Sequence, residues 1–282
     1  MDLVANSMSQ KRPSENDLVF DVGMHTGEDS EFYLKKGCRV VGVEANPDLC
    51  VLVQRQLCGY VSSGRLRIVN QALADCERDV TFYLNDQVSE WSTIDATWAE
   101  RNARLGTSSR EVTVRATRLS SLLEAHGTPY YLKIDVEGAD LLCLDGLREF
   151  EGRPKFISIE SQRRSFGEHL HQFALLWTLG YRRFKIVPQH RITTQRCPFP
   201  PREGRYVDHR FRRGSSGLFG EELPGKWLDI EEAIAAHRKT LTTYWWFGHG
   251  SVLRKPLPRG GRILDLLSGW YDIHAAYGTD GP

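Results

Sequence analysis

The 282-residue chain contains no apolar run near the roughly 20 residues that cross a bilayer, and residues 1–16 lack the apolar stretch of a signal peptide. A membrane role is therefore not expected, and those first residues read as a disordered leader. Charge of one sign is also missing. With a formal net charge of +1 the chain has no overall pull toward nucleic acid. None of the six cysteines, at 38, 50, 58, 76, 143 and 197, forms a CxxC pair, which removes the zinc-ribbon and dithiol signatures. They sit mostly within apolar segments and read as reduced structural thiols, which suits a cytoplasmic location. There is no internal repeat and no low-complexity tract. A GxGxxG turn is absent too, and with it the dinucleotide fingerprint that needs its second and third glycines for pyrophosphate approach and helix packing.

What the chain does have is a recurring junction in which an apolar run ends in an acid. Leu18-Val-Phe-Asp-Val-Gly23, Val40-Val-Gly-Val-Glu44 and Lys155-Phe-Ile-Ser-Ile-Glu160 are three of these. In the second, Asn46-Pro47 follows, a favoured N-cap with proline at the first helical position. The fourth, Lys133-Ile-Asp-Val-Glu-Gly138, alternates charged and aliphatic residues where a buried strand should be aliphatic throughout. Side chains alternate across a strand, so Lys133, Asp135 and Glu137 share one side. Burying such charges without partners costs several kcal/mol each in order of magnitude, a cost that a site explains. Alternating strands and helices predict an α/β fold, a doubly wound and mostly parallel sheet whose ligands bind beyond the carboxyl ends of the strands.

Residues 17–187 are expected to form that domain, with 67–73 as a third strand, 80–84 as a short extra one, 112–117 as a half-exposed strand and 120–126 as a helix. The polar stretch from Asn85 to Arg110 is too irregular to assign. A helix is expected from Glu168 to Leu179, stopped by Gly180, and then a strand over 181–187. Residues 188–282 are expected to form a C-terminal cap or substrate-binding extension, with a helix from Asp229 to about Tyr244 and an aromatic tail. Between Arg182 and Arg213 ten Lys or Arg stand against Glu203 and Asp208.

Asp21-Val-Gly23-Met-His-Thr-Gly27 supplies a turn where backbone approaches a ligand closely and where N–H groups at a helix start can hold an anion. Glu44 lies 23 residues after Asp21, at the end of the next strand, where an acid can accept hydrogen bonds from ribose hydroxyls. These segments, with Asn70-Gln-Ala-Leu-Ala-Asp75 and Lys133-Ile-Asp-Val-Glu-Gly-Ala139, in this order resemble the FkbM family of S-adenosylmethionine-dependent methyltransferases over roughly residues 17–160. The resemblance implies a class I, Rossmann-like methyltransferase sheet. It implies that Gly23, Met24, His25, Thr26 and Gly27, with Asp21, hold the methionine portion of the cofactor. Glu44 and the adjacent Ala45 are placed at the ribose, Gln71 and Ala72 at the adenine, and Asp135 beside the methionine end. The first loop departs from the commoner Ala-Asn pair by having Met24-His25, which leaves the role of His25 open.

S-adenosylmethionine carries an activated methyl, so the protein chiefly positions a nucleophile and removes its proton. Asp135, Glu137, Glu160, His25 and His190 are the candidate bases. Lys133 is a candidate site residue, or with Glu137 a buried pair fixing the junction. Nothing in the spacing of Asp135, Glu137 and Glu160 demands a metal. The expected activity is O-methylation of a hydroxyl on a saccharide or small natural product. The basic run tilts the acceptor toward an anionic one, with RNA disfavoured for want of a binding motif. The competing readings are a nicotinamide-dependent oxidoreductase on the same sheet type and a non-catalytic binding protein that has kept the fold. Oligomeric state is not legible.

Overall fold

The computed structural model describes residues 17–136, 138–160, 166–247 and 271–278. Expectations for residues 1–16, for Glu137 and for Trp270 lie outside the described residues. Strands β1 (Leu18–Val22), β2 (Arg39–Val43) and β3 (Leu66–Val69) alternate with helices α1 (Glu28–Lys35), α2 (Pro47–Gln56) and α3 (Cys58–Ser62). A small sheet follows, made of β4 (Ala72–Leu73), β5 (Asp79–Asn85) and β6 (Ser109–Thr117), with α4 (Ala96–Arg104) inserted between the last two. The chain then runs through α5 (Leu119–His126), β7 (Tyr131–Ile134), α6 (Asp140–Gly146), β8 (Phe156–Glu160), α7 (Phe166–Thr178), β9 (Tyr181–Pro188), α8 (Ile230–Phe247) and β10 (Tyr271–Tyr277). The main sheet has the order β3-β2-β1-β7-β8-β10-β9, with β10 alone antiparallel to its neighbours. No helix among the described residues is long and apolar enough to cross a membrane.

Local chemistry accounts for several of these boundaries. Asn46 caps α2 by accepting from Asp48 N at 3.0 Å, with Pro47 first in the helix. Gly180, in the left-handed region, stops α7. The strand expected over 67–73 is divided. Residues 66–69 belong to the main sheet and 72–73 to the small one, because Asn70 turns its amide onto the carbonyls of Glu44 and Ala45 at 2.9 and 3.0 Å. Residues beyond 188, expected as a cap, supply both a cover for α1 and, through β10, a strand of the sheet itself.

Alternation along the strands sorts the core. Leu18, Phe20 and Val22 face the side packed by α5, α6, α7 and α8, while Val19 and Tyr131 face α1, α2 and the segment containing Ile192, Phe211 and Phe219. On this second face one row across the sheet is polar. Asp21 lies beside Lys133, Lys133 beside Ser158, Ser158 beside His274, and His274 beside Lys185. The cover satisfies part of it, since Lys185 Nζ donates to Leu223 O at 2.6 Å, and within the sheet Tyr131 Oη lies 2.6 Å from Ser158 Oγ. Burial pulls His274 down to about 3, so it stays neutral in the row.

The cover is bolted to α1 at both ends. At the C-terminal end Lys36 Nζ meets Glu222 at 2.7 and 2.9 Å, with both side chains fully buried. At the N-terminal end Ser216 N donates to both carboxylate oxygens of Asp29, at 3.0 and 3.1 Å. Breaking a buried ion pair by removing one partner strands a charge and costs about 3–5 kcal/mol. Glu222→Ala is expected to lose that much in urea denaturation, and a loss below about 1 kcal/mol would show that Lys36 finds water instead. Burial raises the Asp29 carboxyl from 3.8 to about 6 against the pull of Lys133. The folded chain thus holds this proton more tightly than the unfolded one, and the resulting stability is complete below about pH 4 and lost as pH rises through about 6. Asp29→Asn, which cannot titrate, should therefore gain in unfolding free energy relative to the wild type between about pH 4 and 7. A pH-independent difference would contradict the assignment.

Candidate functional site

At the end of β2, the Glu44 carboxylate accepts from Asn46 N at 2.8 Å through Oε1 and from His25 N at 2.9 Å through Oε2. Burial raises its pKa, and these two N–H groups oppose the rise. Each oxygen keeps a lone pair for a further donor. His25 adopts a positive φ of 50° and brings its ring Nε2 to 2.8 Å from Ser89 Oγ, joining the first loop to the segment after β5.

At the ends of β1 and β7 a buried ammonium organises three acids. Lys133 Nζ lies 3.1 Å from Asp21 Oδ1, 3.4 Å from Asp29 Oδ2 and 3.6 Å from Asp135 Oδ2, and donates to Gly23 O at 3.3 Å. Burial alone would lower its pKa, but Asp21, Asp29 and Asp135 together hold it well above the usual lysine value. Asp21 is closed off further by Ser30 Oγ, which donates to Oδ2 at 2.6 Å. Asp135 differs from the other two because 41% of its side chain is exposed.

The glycine turn works first by close approach. A Cβ at Gly23 would fall 1.8 Å from Asp135 O, so only glycine lets the loop lie against the end of β7. Most of its N–H groups are committed elsewhere: Gly23 N and Met24 N both donate to Val43 O at 3.0 Å, and Gly27 N donates to Met24 O at 2.9 Å. The start of the turn thus braces β1 to β2, and Thr26 N is the donor it keeps at the cavity.

A cavity of about 320 Å³ opens where these strand ends meet. Of the residues singled out from the sequence, Gly23, Met24, His25, Thr26, Glu44, Ala45, Gln71, Ala72, Lys133 and Asp135 line it. Four predicted residues stand elsewhere. Asp21 is fully buried beneath Lys133 and Ser30, so it reaches the cavity only through Lys133. Gly27 turns toward Val53 at the entry to α1. Glu160 lies outside this lining, opposite Asp272 of β10, because β8 is one strand further from the glycine turn than β7. His190 is also outside it. Lys133 has its close partners on β1, α1 and β7.

Sequence reasoning missed two groups of lining residues. Phe82, Ser89, Ser92, Thr93 and Ile94 close the side of β2 and β4, where Tyr83 and Thr93 exchange backbone hydrogen bonds at 2.8 and 3.1 Å and fold the chain back. One signal was available: Asp95, which accepts from Thr97 N at 2.7 Å, is a helix-capping residue. The second group, Arg213, Gly214 and Ser215, comes from the cover. The basic run around it is largely spent on structure. Seven of its ten cations, Arg182, Arg183, Lys185, Arg196, Arg202, Arg205 and Arg212, bond to backbone carbonyls or acids.

The family pattern described as the methyltransferase FkbM domain matches residues 21–183, more than half of the chain. Among curated proteins none matches. Similar solved structures include a precorrin-6y C5,15-methyltransferase from Geobacter metallireducens, 14% identical over 64% of this chain and 71% of that one, with a TM-score of 0.36. A SAM-dependent methyltransferase from Archaeoglobus fulgidus is 13% identical over 93% of this chain and 86% of its own, with a TM-score of 0.38. Another, from Thiobacillus denitrificans in complex with S-adenosyl-L-homocysteine, is 10% identical over 93% and 86%, with a TM-score of 0.34. The family match alone carries the assignment: the chain belongs to the FkbM methyltransferase domain family and is an S-adenosylmethionine-dependent methyltransferase.

Proposed function

We propose that the protein O-methylates a hydroxyl of a saccharide or small natural product, with the cofactor in the cavity at the ends of β1, β2 and β7. The residues suit the group. A volume of about 320 Å³ falls in the range of small-molecule sites. The lining divides into an apolar side at Ala72, Leu73, Phe82 and Ile94, fit for an adenine, and an acidic side at Asp29 and Asp135, fit for cationic groups. Between them Glu44 has a carboxylate with free lone pairs facing where ribose hydroxyls belong.

Bound S-adenosylmethionine supplies a methyl already activated on a sulfonium. What remains for the chain is to orient the acceptor, exclude water and take a proton. Asp135 is the residue for the last of these, and the observation that carries this choice is its half-exposed carboxylate at the strand ends, where Asp21, Asp29 and Glu44 are buried. Lys133 at 3.6 Å fixes that carboxylate, so Lys133 is a positioning residue. The tilt toward an anionic acceptor loses most of its basis, since seven of the ten cations that suggested it are bonded within the fold. A cytoplasmic location is in keeping with six free cysteines, four of them buried.

Two substitutions test the roles separately. Glu44→Ala is expected to weaken S-adenosylhomocysteine binding by roughly 1–3 kcal/mol in calorimetry, and unchanged affinity in a folded variant would remove Glu44 from the site. Asp135→Asn keeps shape while removing basicity, so methyl transfer to a panel of saccharides and small hydroxylated acceptors should slow by about 10² to 10⁴ with cofactor affinity largely kept. Wild-type turnover in that variant would defeat the base assignment.

A further inference from the structure

The amino-acid end of S-adenosylmethionine presents three charges, an ammonium and a sulfonium that are positive and a carboxylate that is negative. Acids suit the first two and repel the third. The cavity is rich in acids, with Glu28, Asp29, Glu44, Glu90 and Asp135 in its lining, and among the described residues only Lys133 and Arg213 bring a fixed positive charge there. Lys133 has nothing left to give. An ammonium has three donors, and this one already faces Asp21, Asp29, Asp135 and Gly23 O within 3.6 Å. The glycine turn offers little in its place, because Gly23 N and Met24 N are both bonded to Val43 O and His25 N to Glu44, which leaves Thr26 N as its one donor at the cavity.

Arg213 is presented differently. The residue before it, Arg212, pairs with Glu28 at 2.9 Å, and the residues after Gly214 are fixed as well, Ser215 Oγ to Glu28 at 3.4 Å and Ser216 N to Asp29 at 3.0 and 3.1 Å. Two successive acids in the first turn of α1 thus pin both sides of a short span that turns at Gly214, with φ 94°. Arg213 stands on that span at the cavity edge, and among the described residues it makes no ion pair or hydrogen bond of its own. A guanidinium held in place by its neighbours and left uncommitted has the fork geometry that matches a carboxylate in two parallel bonds.

We infer that Arg213, supplied by the C-terminal cover, binds the α-carboxylate of the cofactor. The inference rests on the cofactor placement above and assigns a residue outside the matched family range of 21–183. It makes the cover part of the cofactor site and gives the double anchoring of residues 212–216 on α1 a purpose.

Calorimetry on the full chain tests it with two ligands, S-adenosylhomocysteine and its decarboxylated analogue S-adenosyl-3-thiopropylamine. The wild type should prefer the ligand with the carboxylate. Arg213→Gln should weaken S-adenosylhomocysteine about tenfold while leaving the analogue within about twofold, and Arg213→Lys should restore part of the loss. The side chain is exposed, so the unliganded melting temperature should not move. Equal losses for both ligands, or no loss for either, would overturn the assignment. A wild type that binds neither ligand would bring down the cofactor placement and this assignment with it.

Discussion

The buried ammonium of Lys133 is the contact on which the site depends. Register places it beside Asp21, the first turn of α1 brings Asp29 over it, and its own strand delivers Asp135 two residues later. One side chain therefore ties β1, α1 and β7 together, and through Asp29 and Ser216 it reaches the cover as well. Buried ion pairs contribute little net stability against a well-packed apolar alternative. The cluster is better understood as fixing geometry: it holds the half-exposed Asp135 at the mouth of the cavity and sets the loop that carries Arg213.

The same constraint explains the architecture around it. A parallel sheet buried on both faces should be apolar throughout, yet a polar row runs from Asp21 to Lys185 across five neighbouring strands. Such a row needs partners. The segment from 189 to 228 provides some of them, and aromatic packing of Phe219 on Tyr131, stacked at 4.8 Å, seals it. The extension beyond residue 188 is consequently part of the fold's own satisfaction of polar groups, with the cavity edge as a by-product of where it docks.

Local signals made much of this legible. Apolar runs ending in Asp21, Glu44 and Asp135 placed the cavity edge, and Asn46-Pro47 marked the start of α2, because strand ends and caps are written in adjacent residues. Lys133 stood out as a charge in a buried strand with Asp135 on its side, but Asp21 and Asp29 did not show as its partners, since Asp21 is 112 residues away and only the sheet register joins them. Glycine at 23 was visible while the fate of its N–H was not, because that donor bonds to a neighbouring strand. The basic run misled for a related reason: composition counts charges, whereas packing decides which remain free. β10 carried no local sign that it would enter the sheet between β8 and β9, and Arg213 lay among cations that composition could not tell apart.

The most direct measurement is calorimetric titration of the full chain with S-adenosylhomocysteine, paired with a thermal-shift comparison against NAD. One site per chain with micromolar-range affinity, on the order of −8 kcal/mol, and a stabilisation that NAD does not produce is the predicted result. A folded chain that binds no S-adenosylhomocysteine, or that NAD stabilises equally, would contradict the placement of the cofactor at the ends of β1, β2 and β7.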